Sequence, residues 1–550
     1  MNIEEDAYRY AVKNAFEHKG QAQIGALIGK LKALHSDKDV SEIMPIVTET
    51  VKKVNSMSAA EIEEAFKDFE GGYELKPKQG REGLAPLDWA EKGGKVVTRF
   101  APNPNGPAHL GHARAFYLSY AYAKMYNGKF ILRFEDTDPK VKKPIENAEA
   151  LFLSDLGWFG IKPDEIYFAS DRMEIYYEYM RKLIELDKAY VCFCESEKWR
   201  SLTQEKKACP HRNISKEKQL AEFEKMISNE TKEGEAVLRI KTDLDNPDPS
   251  IRDWWVARIV DSPKHPRIKK EYHVWPSYMF QSAVDDYLMG VTFILRGQEH
   301  SQNQTKQEYL CKYFGWGYPH AVHFGRMSAE GMILSTSKIR AGIESGEYSG
   351  WDDIRIGTIQ AIRRRGFDPR AIEKIIEDSG LTTSDAKFSM QKLSAYNKEF
   401  IQDKARRETF IDDPIKLTVP SHEELEFEKE GKKFVFKRGL HEFYVSKKEM
   451  IISKGHVVRL RNAYNIKINL VDEFSCEGSF AGTDAKGKLI VPWIQEMADL
   501  ELHFPDGTKK AGAIEKQELE KGQYLYFDKI GFFIVDSVSG KRPIAWFTHE

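Results

Sequence analysis

Thr98-Arg99-Phe100-Ala101-Pro102-Asn103-Pro104-Asn105-Gly106-Pro107-Ala108-His109-Leu110-Gly111-His112 sets the fold class of this 550-residue chain. It begins inside a short β-branched run, Val96 to Phe100, passes through a loop of proline, asparagine and glycine, and opens a helical pattern from Leu110 to Tyr126. A second apolar run, Phe130-Ile131-Leu132-Arg133-Phe134, follows. Strand, loop, helix, strand is the βαβ unit of a parallel sheet. The helix start presents unpaired amides and a partial positive charge, a place where phosphates settle. Gly106 and Gly111 admit a ligand close to the backbone, and His109 and His112 can donate hydrogen bonds to phosphate oxygens whose charge grows as a leaving group departs.

Outward from this unit the texture changes in both directions. A further apolar strand, Val291-Thr292-Phe293-Ile294-Leu295, lies far along the chain, so a large insertion is expected to split the sheet. Before residue 90 the chain reads as helical: Ile24, Leu27, Ile28, Leu31 and Leu34 mark one buried helix face, and Ser58-Ala59-Ala60-Glu61 is a capping box. A glycine- and lysine-rich stretch from Gly71 to Gly94, with Pro77 and Pro86, reads as a linker. Residues 345–408 again read as helical. After Asp413-Pro414 come short alternating runs at 416–419, 434–436, 456–460 and 531–535, with turn signals at Asp484-Ala485-Lys486-Gly487 and Asp506-Gly507. That spacing predicts antiparallel barrels or sandwiches.

Composition excludes more than it selects. Lys plus Arg, 83, nearly balances Asp plus Glu, 85, so a nucleic acid would have to meet local basic surface. Arg363-Arg364-Arg365, Lys404 with Arg406 and Arg407, and Lys432-Lys433 with Lys437-Arg438 are candidates, although each alone reads as an ordinary solvated face. The start, MNIEEDAYRY, has no apolar signal core, and no apolar run approaches membrane-spanning length. Five cysteines make no disulfide framework, and a reducing cytoplasm is the expected location.

The His109-Leu110-Gly111-His112 segment resembles the HIGH signature of class I aminoacyl-tRNA synthetases, and TRFAPNPNGPAHLGHA is similar to their glutamyl and glutaminyl branch. Leu132-Arg133-Phe134-Glu135-Asp136-Thr137-Asp138 resembles the LR(I/F)EDTD motif of the glutamyl members. Met332-Ile333-Leu334-Ser335-Thr336-Ser337-Lys338 resembles the KMSKS loop in degenerate form, with Thr336 where the family has its second lysine. The resemblance, from about Lys95 to the C-terminus, implies an α/β multidomain protein. Its parts would be a helical N-terminal extension (1–90), a split Rossmann catalytic domain (91–190 and 285–344) and an acceptor-binding insertion (191–284). A helical connector (345–408) and two C-terminal antiparallel β-barrels that bind the anticodon (409–550) would follow.

It also implies a reaction. L-Glutamate would be activated by ATP, arriving as its Mg²⁺ complex, and transferred to the 3′ end of glutamate tRNA by a monomeric enzyme with no membrane partner. Whether glutamine tRNA is charged too is left open. The family roles carry over as follows. His109, His112 and Lys338 would be catalytic. Pro102, Asn103, Gly106, Gly111, Ser335 and Ser337 would join them around ATP. Arg99, Glu135, Tyr278 and Arg296 would line the glutamate pocket. Glu135 at a strand end suits an ammonium, and a buried arginine requires a partner that a carboxylate can supply. Trp351-Asp352-Asp353 with Arg363–Arg365 resembles the region that meets the inner tRNA arm, and Val458 to Tyr464 resembles an anticodon-binding barrel.

Cys192, Cys194, Cys209 and His211 supply three thiolates and an imidazole, a complete set for one structural Zn²⁺; buried free cysteines are the plain alternative. Two rival functions remain. A glutaminyl-tRNA synthetase would carry the same barrels, though Glu135 to Asp138 and Arg296 resemble the glutamyl form. A non-catalytic tRNA-binding paralogue is kept open by Thr336.

Overall fold

The computed structural model describes residues 3–17, 20–35, 38–67, 83–329, 331–383, 385–484, 489–540 and 542–550. Contacts divide the chain into two units, 1–82 and 83–550. The first is a bundle of four helices, Ile3–Glu17, Ile24–Leu34, Val40–Asn55 and Ala59–Lys67. Leu27 and Leu31 of the expected apolar face are buried with Val47 and Val54, while Ile24 stays exposed. The Ser58–Glu61 box is formed from both sides: Glu61 accepts from the Ser58 amide at 2.7 Å and the Ser58 hydroxyl accepts from the Glu61 amide at 3.3 Å. Residues 71–82 of the expected linker lie outside the described residues; the rest, 83–94, includes the short helix Asp88–Glu91 and buries Leu87 and Ala90.

The second unit is built on a parallel sheet. Its strands are β1 (Val97–Phe100), β2 (Lys129–Phe134), β3 (Glu165–Phe168), β8 (Phe293–Gly297) and β9 (His320–Phe324), in the spatial order β3-β2-β1-β8-β9. Every pairing is parallel. The order runs outward both ways from β1 and β8, so the crevice between these two strands is the place where such sheets bind ligands. The three central strands, β2, β1 and β8, are buried nearly throughout, as a sheet covered on both faces requires, while the edge strands β3 and β9 are mostly half-buried.

Between β3 and β8 sits an insertion with an antiparallel sheet of β4 (Ala189–Cys192), β5 (Val237–Ile240), β6 (Trp255–Ile259) and β7 (Val274–Pro276). The helix Met173–Glu185 and β4 share its core with Trp254, Trp275 and Phe280. The inserted unit therefore begins earlier than residue 191, because the helix turns its apolar face to that sheet.

Two expectations about the C-terminal half need correction. Residues 345–358 form no helix; the connector is three helices, Ile359–Arg364, Pro369–Ser379 and Met390–Ile401. Beyond them lie two half-barrel sheets of seven and six strands, and they are mixed rather than antiparallel. Residues 416–418 pair in parallel with 475–477, 458–460 with 489–491, 406–408 with 525–527 and 501–503 with 544–546. Residues 485–487 of one expected turn lie outside the described residues, whereas Asp506-Gly507 does join two antiparallel strands. Among the described residues no helix is long and apolar enough to cross a membrane.

Candidate functional site

The loop after β1 delivers His109 to the N-cap of the helix Leu110–Met125. The His109 amide donates to His112 Nδ1 at 3.3 Å, so the neutral His112 ring carries its proton on Nε2, free to donate. The two imidazoles stack with centroids 3.8 Å apart. Burial holds His109 down to about 4, and burial together with its neighbour holds His112 well below the usual histidine range. Both rings are therefore neutral near pH 7. His109 Nδ1 is buried with no hydrogen-bond partner. Gly111 is required by close approach, since a Cβ there would lie 2.8 Å from the His109 ring.

The loop is clamped from behind. Buried Asp155 accepts from the Ala108 amide at 3.2 Å, and desolvation pushes its carboxyl up to about 7. The Ala108 carbonyl accepts from Ile359 N at 3.0 Å, and Leu110 N donates to the Gly357 carbonyl at 3.0 Å. At its other end the helix Ile359–Arg364 meets a C-terminal sheet: Arg364 pairs with Asp536 at 2.9 Å, and the following residue, Arg365, donates to the Thr548 carbonyl at 3.0 Å. One short helix thus touches both the histidine loop and the C-terminal sheet.

The resembled KMSKS segment lies over the same loop. Ser335 stands at the N-cap position of a helix from Thr336 to Glu344 without a side-chain capping bond, and Ser337 and Lys338 occupy its first turn; both are exposed. Thr336 packs its methyl where a Cβ on Gly106 would sit, 2.5 Å away, and Arg340 donates to the Asn105 carbonyl. Lys338 sits on the surface in no ion pair among the described residues.

Across β1 the side chains are charged. Pro102 and Asn103 tie the two strand ends together: the Pro102 carbonyl accepts from the Glu135 amide and Asn103 Nδ2 donates to the Glu135 carbonyl, both at 2.9 Å. Glu135 Oε1 accepts from Arg133 Nε at 3.0 Å, while Glu135 Oε2 is buried without a partner. Burial, opposed by Arg133, pushes this carboxyl up to about 7. Arg133 also donates to Asp286 at 2.7 Å, and Arg99 Nε donates to Asp286 at 3.2 Å. Asp285 takes Arg172 and the Tyr176 hydroxyl, each at 2.6 Å. Arg99 therefore has its carboxylate within the protein, contrary to the expectation that its charge awaits one. Tyr278 opens the helix Tyr278–Leu288, half-buried, with its ring 5.9 Å from that of His300.

Arg296 differs. It is 5 % exposed, yet its partners are all neutral: Nε donates to His323 Nε2 at 3.1 Å, Nη1 to Gln307 Oε1 at 3.0 Å and Nη2 to the Tyr318 hydroxyl at 2.8 Å. Asp285, Asp286 and Glu299, the acids nearest in sequence, do not pair with it; it is in no ion pair among the described residues.

In the insertion, Cys192, Cys194, Cys209 and His211 bring their donor atoms within 4.8 Å of one another. The Cys192–Cys209 and Cys194–Cys209 sulfur separations are 3.5 and 3.4 Å, and His211 Nδ1 lies 3.2 Å from Cys209 Sγ. Ligands at 2.3 Å from one tetrahedral ion sit about 3.7 Å apart, so the cluster has the right size to hold a metal.

Sequence reasoning did not assign roles to Arg133, Asp155, Gln307, Tyr318 or His323. The first lies inside a quoted motif, and charge within an apolar strand was its signal; the others are brought in by the fold alone. Two expected nucleic-acid contacts change character. Tyr464 is fully buried and bonds His441, so it cannot stack on a base, and Arg365 is likewise buried.

Residues 95–403 match the model of the class I tRNA synthetase (E and Q) catalytic domain. The chain is 45 % identical over its whole length, and theirs, to proteins named glutamate–tRNA ligase from Pyrococcus furiosus and Pyrococcus abyssi. It is 39 % identical, again over all of both chains, to the glutamate–tRNA ligase of Archaeoglobus fulgidus. Likeness to a solved glutamate tRNA ligase from Elizabethkingia meningosepticum is weak, with TM-score 0.42 and 21 % identity over 57 % of this chain and 71 % of that one.

Proposed function

We propose, from the premise that this chain belongs to the class I tRNA synthetases of the glutamyl and glutaminyl branch, that it is a glutamate–tRNA ligase of the archaeal type whose chemistry is done at the β1–β8 crevice. It activates L-glutamate with ATP and transfers it to the 3′ end of glutamate tRNA. The observation that carries the choice of amino acid is Arg296: a buried guanidinium with only neutral partners favours a ligand carboxylate over an amide.

In this reading the glutamate ammonium takes the unpartnered Glu135 Oε2, the side-chain carboxylate takes Arg296, and Tyr278 closes the pocket. Arg99, already paired with Asp286, positions rather than neutralises. The α-carboxylate attacks the α-phosphate of ATP, whose Mg²⁺ arrives with it as substrate. Pro102, Asn103, Gly106 and Gly111 shape the phosphate cradle. His109 and the Nε2–H of His112 donate to the oxygens that gain charge, and Ser335, Ser337 and Lys338 reach the phosphates from the loop above. The four-ligand cluster suits one structural Zn²⁺, which would tie the loop carrying Cys209 and His211 to β4. The reduced cysteines fit a cytoplasmic protein.

Charging assays with glutamate and glutamine, each on glutamate tRNA and glutamine tRNA, test the proposal. Glutamate on glutamate tRNA should dominate, and the glutamine tRNA arm decides whether charging is discriminating. ATP–pyrophosphate exchange should appear only when tRNA is added. Preferential charging with glutamine would overturn the assignment.

A further inference from the structure

Arg133 and Arg99 each find a carboxylate inside the protein, and Asp286 serves both. A short way along the same sheet edge Arg296 finds none. A guanidinium has five N–H donors; three are used, on His323, Gln307 and Tyr318, which leaves one N–H on each terminal nitrogen. The three acceptors are themselves locked. Gln307 Oε1 also accepts from the Tyr318 hydroxyl at 2.9 Å, and Gln307 Nε2 donates to Ser282 Oγ at 2.5 Å on the neighbouring helix. His323 faces Arg296 across the β8–β9 register; burial and Arg296 hold it below the usual histidine range, so its ring is a neutral acceptor. The clamp thus fixes the guanidinium in place without cancelling its charge.

We propose that Gln307, Tyr318 and His323 are positioning residues that set the specificity of the site, by holding Arg296 with neutral acceptors only so that a substrate carboxylate is its first counter-charge. The inference rests on the reading of Arg296 as the partner of the glutamate side chain. Its consequence is particular: a carboxylate supplied by the protein at position 307 would replace the substrate's and erase the preference for glutamate, with almost no change of shape.

The test uses the full-length protein and glutamate tRNA, with KM and kcat measured for glutamate, glutamine and ATP. Gln307→Glu should raise the glutamate KM about a hundredfold and narrow the glutamate-over-glutamine ratio by at least about tenfold, the ATP KM staying within about twofold. Gln307→Met, close in size but uncharged, should raise the glutamate KM less and keep the ratio. Tyr318→Phe removes one hydroxyl and should raise the glutamate KM about fivefold with little effect on kcat. Wild-type glutamate KM and ratio in Gln307→Glu, or equal losses in Gln307→Glu and Gln307→Met across every substrate, would overturn the proposal. Should Gln307→Glu not fold, wild-type glutamate KM in Tyr318→Phe would do the same. Arg296→Gln separates this failure from that of the underlying reading. If it too keeps the preference for glutamate, the pocket is misassigned; if it loses the preference while Gln307→Glu does not, only the clamp is wrong.

Discussion

On one side of β1 the protein presents amides and two neutral imidazoles, His109 and His112. On the other it packs three guanidiniums, of Arg99, Arg133 and Arg172, against three carboxylates, of Glu135, Asp285 and Asp286. The contrast follows what each ligand brings. ATP arrives with part of its negative charge offset by its own cation and gains more as pyrophosphate leaves, so polar donors aimed at that growing charge, with the exposed Lys338 beside them, serve without a buried counter-charge. The amino acid is a zwitterion, and its poles need partners of fixed sign. A balanced buried network can hold those partners rigid, since each charge is met by its neighbour.

The largest test of that contrast is on the neutral side. His112→Ala removes the Nε2–H donor and should slow adenylate formation about a hundredfold, with the glutamate KM nearly unchanged. Single-turnover measurement at saturating substrates reads it directly, and a wild-type rate would dissolve the contrast. On the charged side, Glu135→Gln should raise the glutamate KM about thirtyfold, the scale of one charge-assisted hydrogen bond in a buried site. The ATP KM should stay flat; if it rises in step, the two halves are not separate.

How far this was legible in the sequence depends on reach. The histidine loop is local, and its glycines, prolines and histidines state its geometry in one string. Apart from Glu135, two residues from Arg133, the partners of the buried charges are not local. Arg99 meets Asp286 from 187 residues away, and Arg296 is held from Gln307, Tyr318 and His323 while nearer acids go unused. Nearness in sequence does not identify the pairs: the helix Tyr278–Leu288 turns Asp285 and Asp286 toward Arg172, Arg133 and Arg99 rather than toward Arg296. The parallel pairings of the C-terminal sheets escaped for a related reason. Alternation marks a strand and its buried face, and carries no information on the direction of its neighbour.

A pH titration probes the contrast more gently. Glu135, pushed up to about 7 by burial, holds an ammonium only when ionised. The glutamate KM should therefore rise about tenfold as pH falls from about 8 to about 6, while the ATP KM stays level because both imidazoles remain neutral there. The sign for stability is opposite: a carboxyl raised in the folded state favours folding below its unfolded value and loses that contribution as pH rises through about 7. A level glutamate KM would mean that Glu135 does not face the substrate. Smallest at the crevice should be Cys209→Ser. It should abolish about one bound zinc per chain by elemental analysis and weaken charging of tRNA while leaving adenylate formation within about twofold. Metal-free wild-type protein with full activity would remove zinc from the account.

The helix Ile359–Arg364 has six residues and, at 1.5 Å per residue, spans about 9 Å. It works as a strut. Its leading residue, Ile359, donates a backbone hydrogen bond to Ala108, one residue before the histidine pair, and the Arg364–Asp536 pair ties its trailing end to the C-terminal sheet. A rod this short has little room to bend, so the placing of that sheet and of the histidine loop are coupled through it. Catalytic geometry tolerates errors of only about half an ångström. The sheet farthest along the chain is therefore part of the mechanical frame that keeps the histidines aimed.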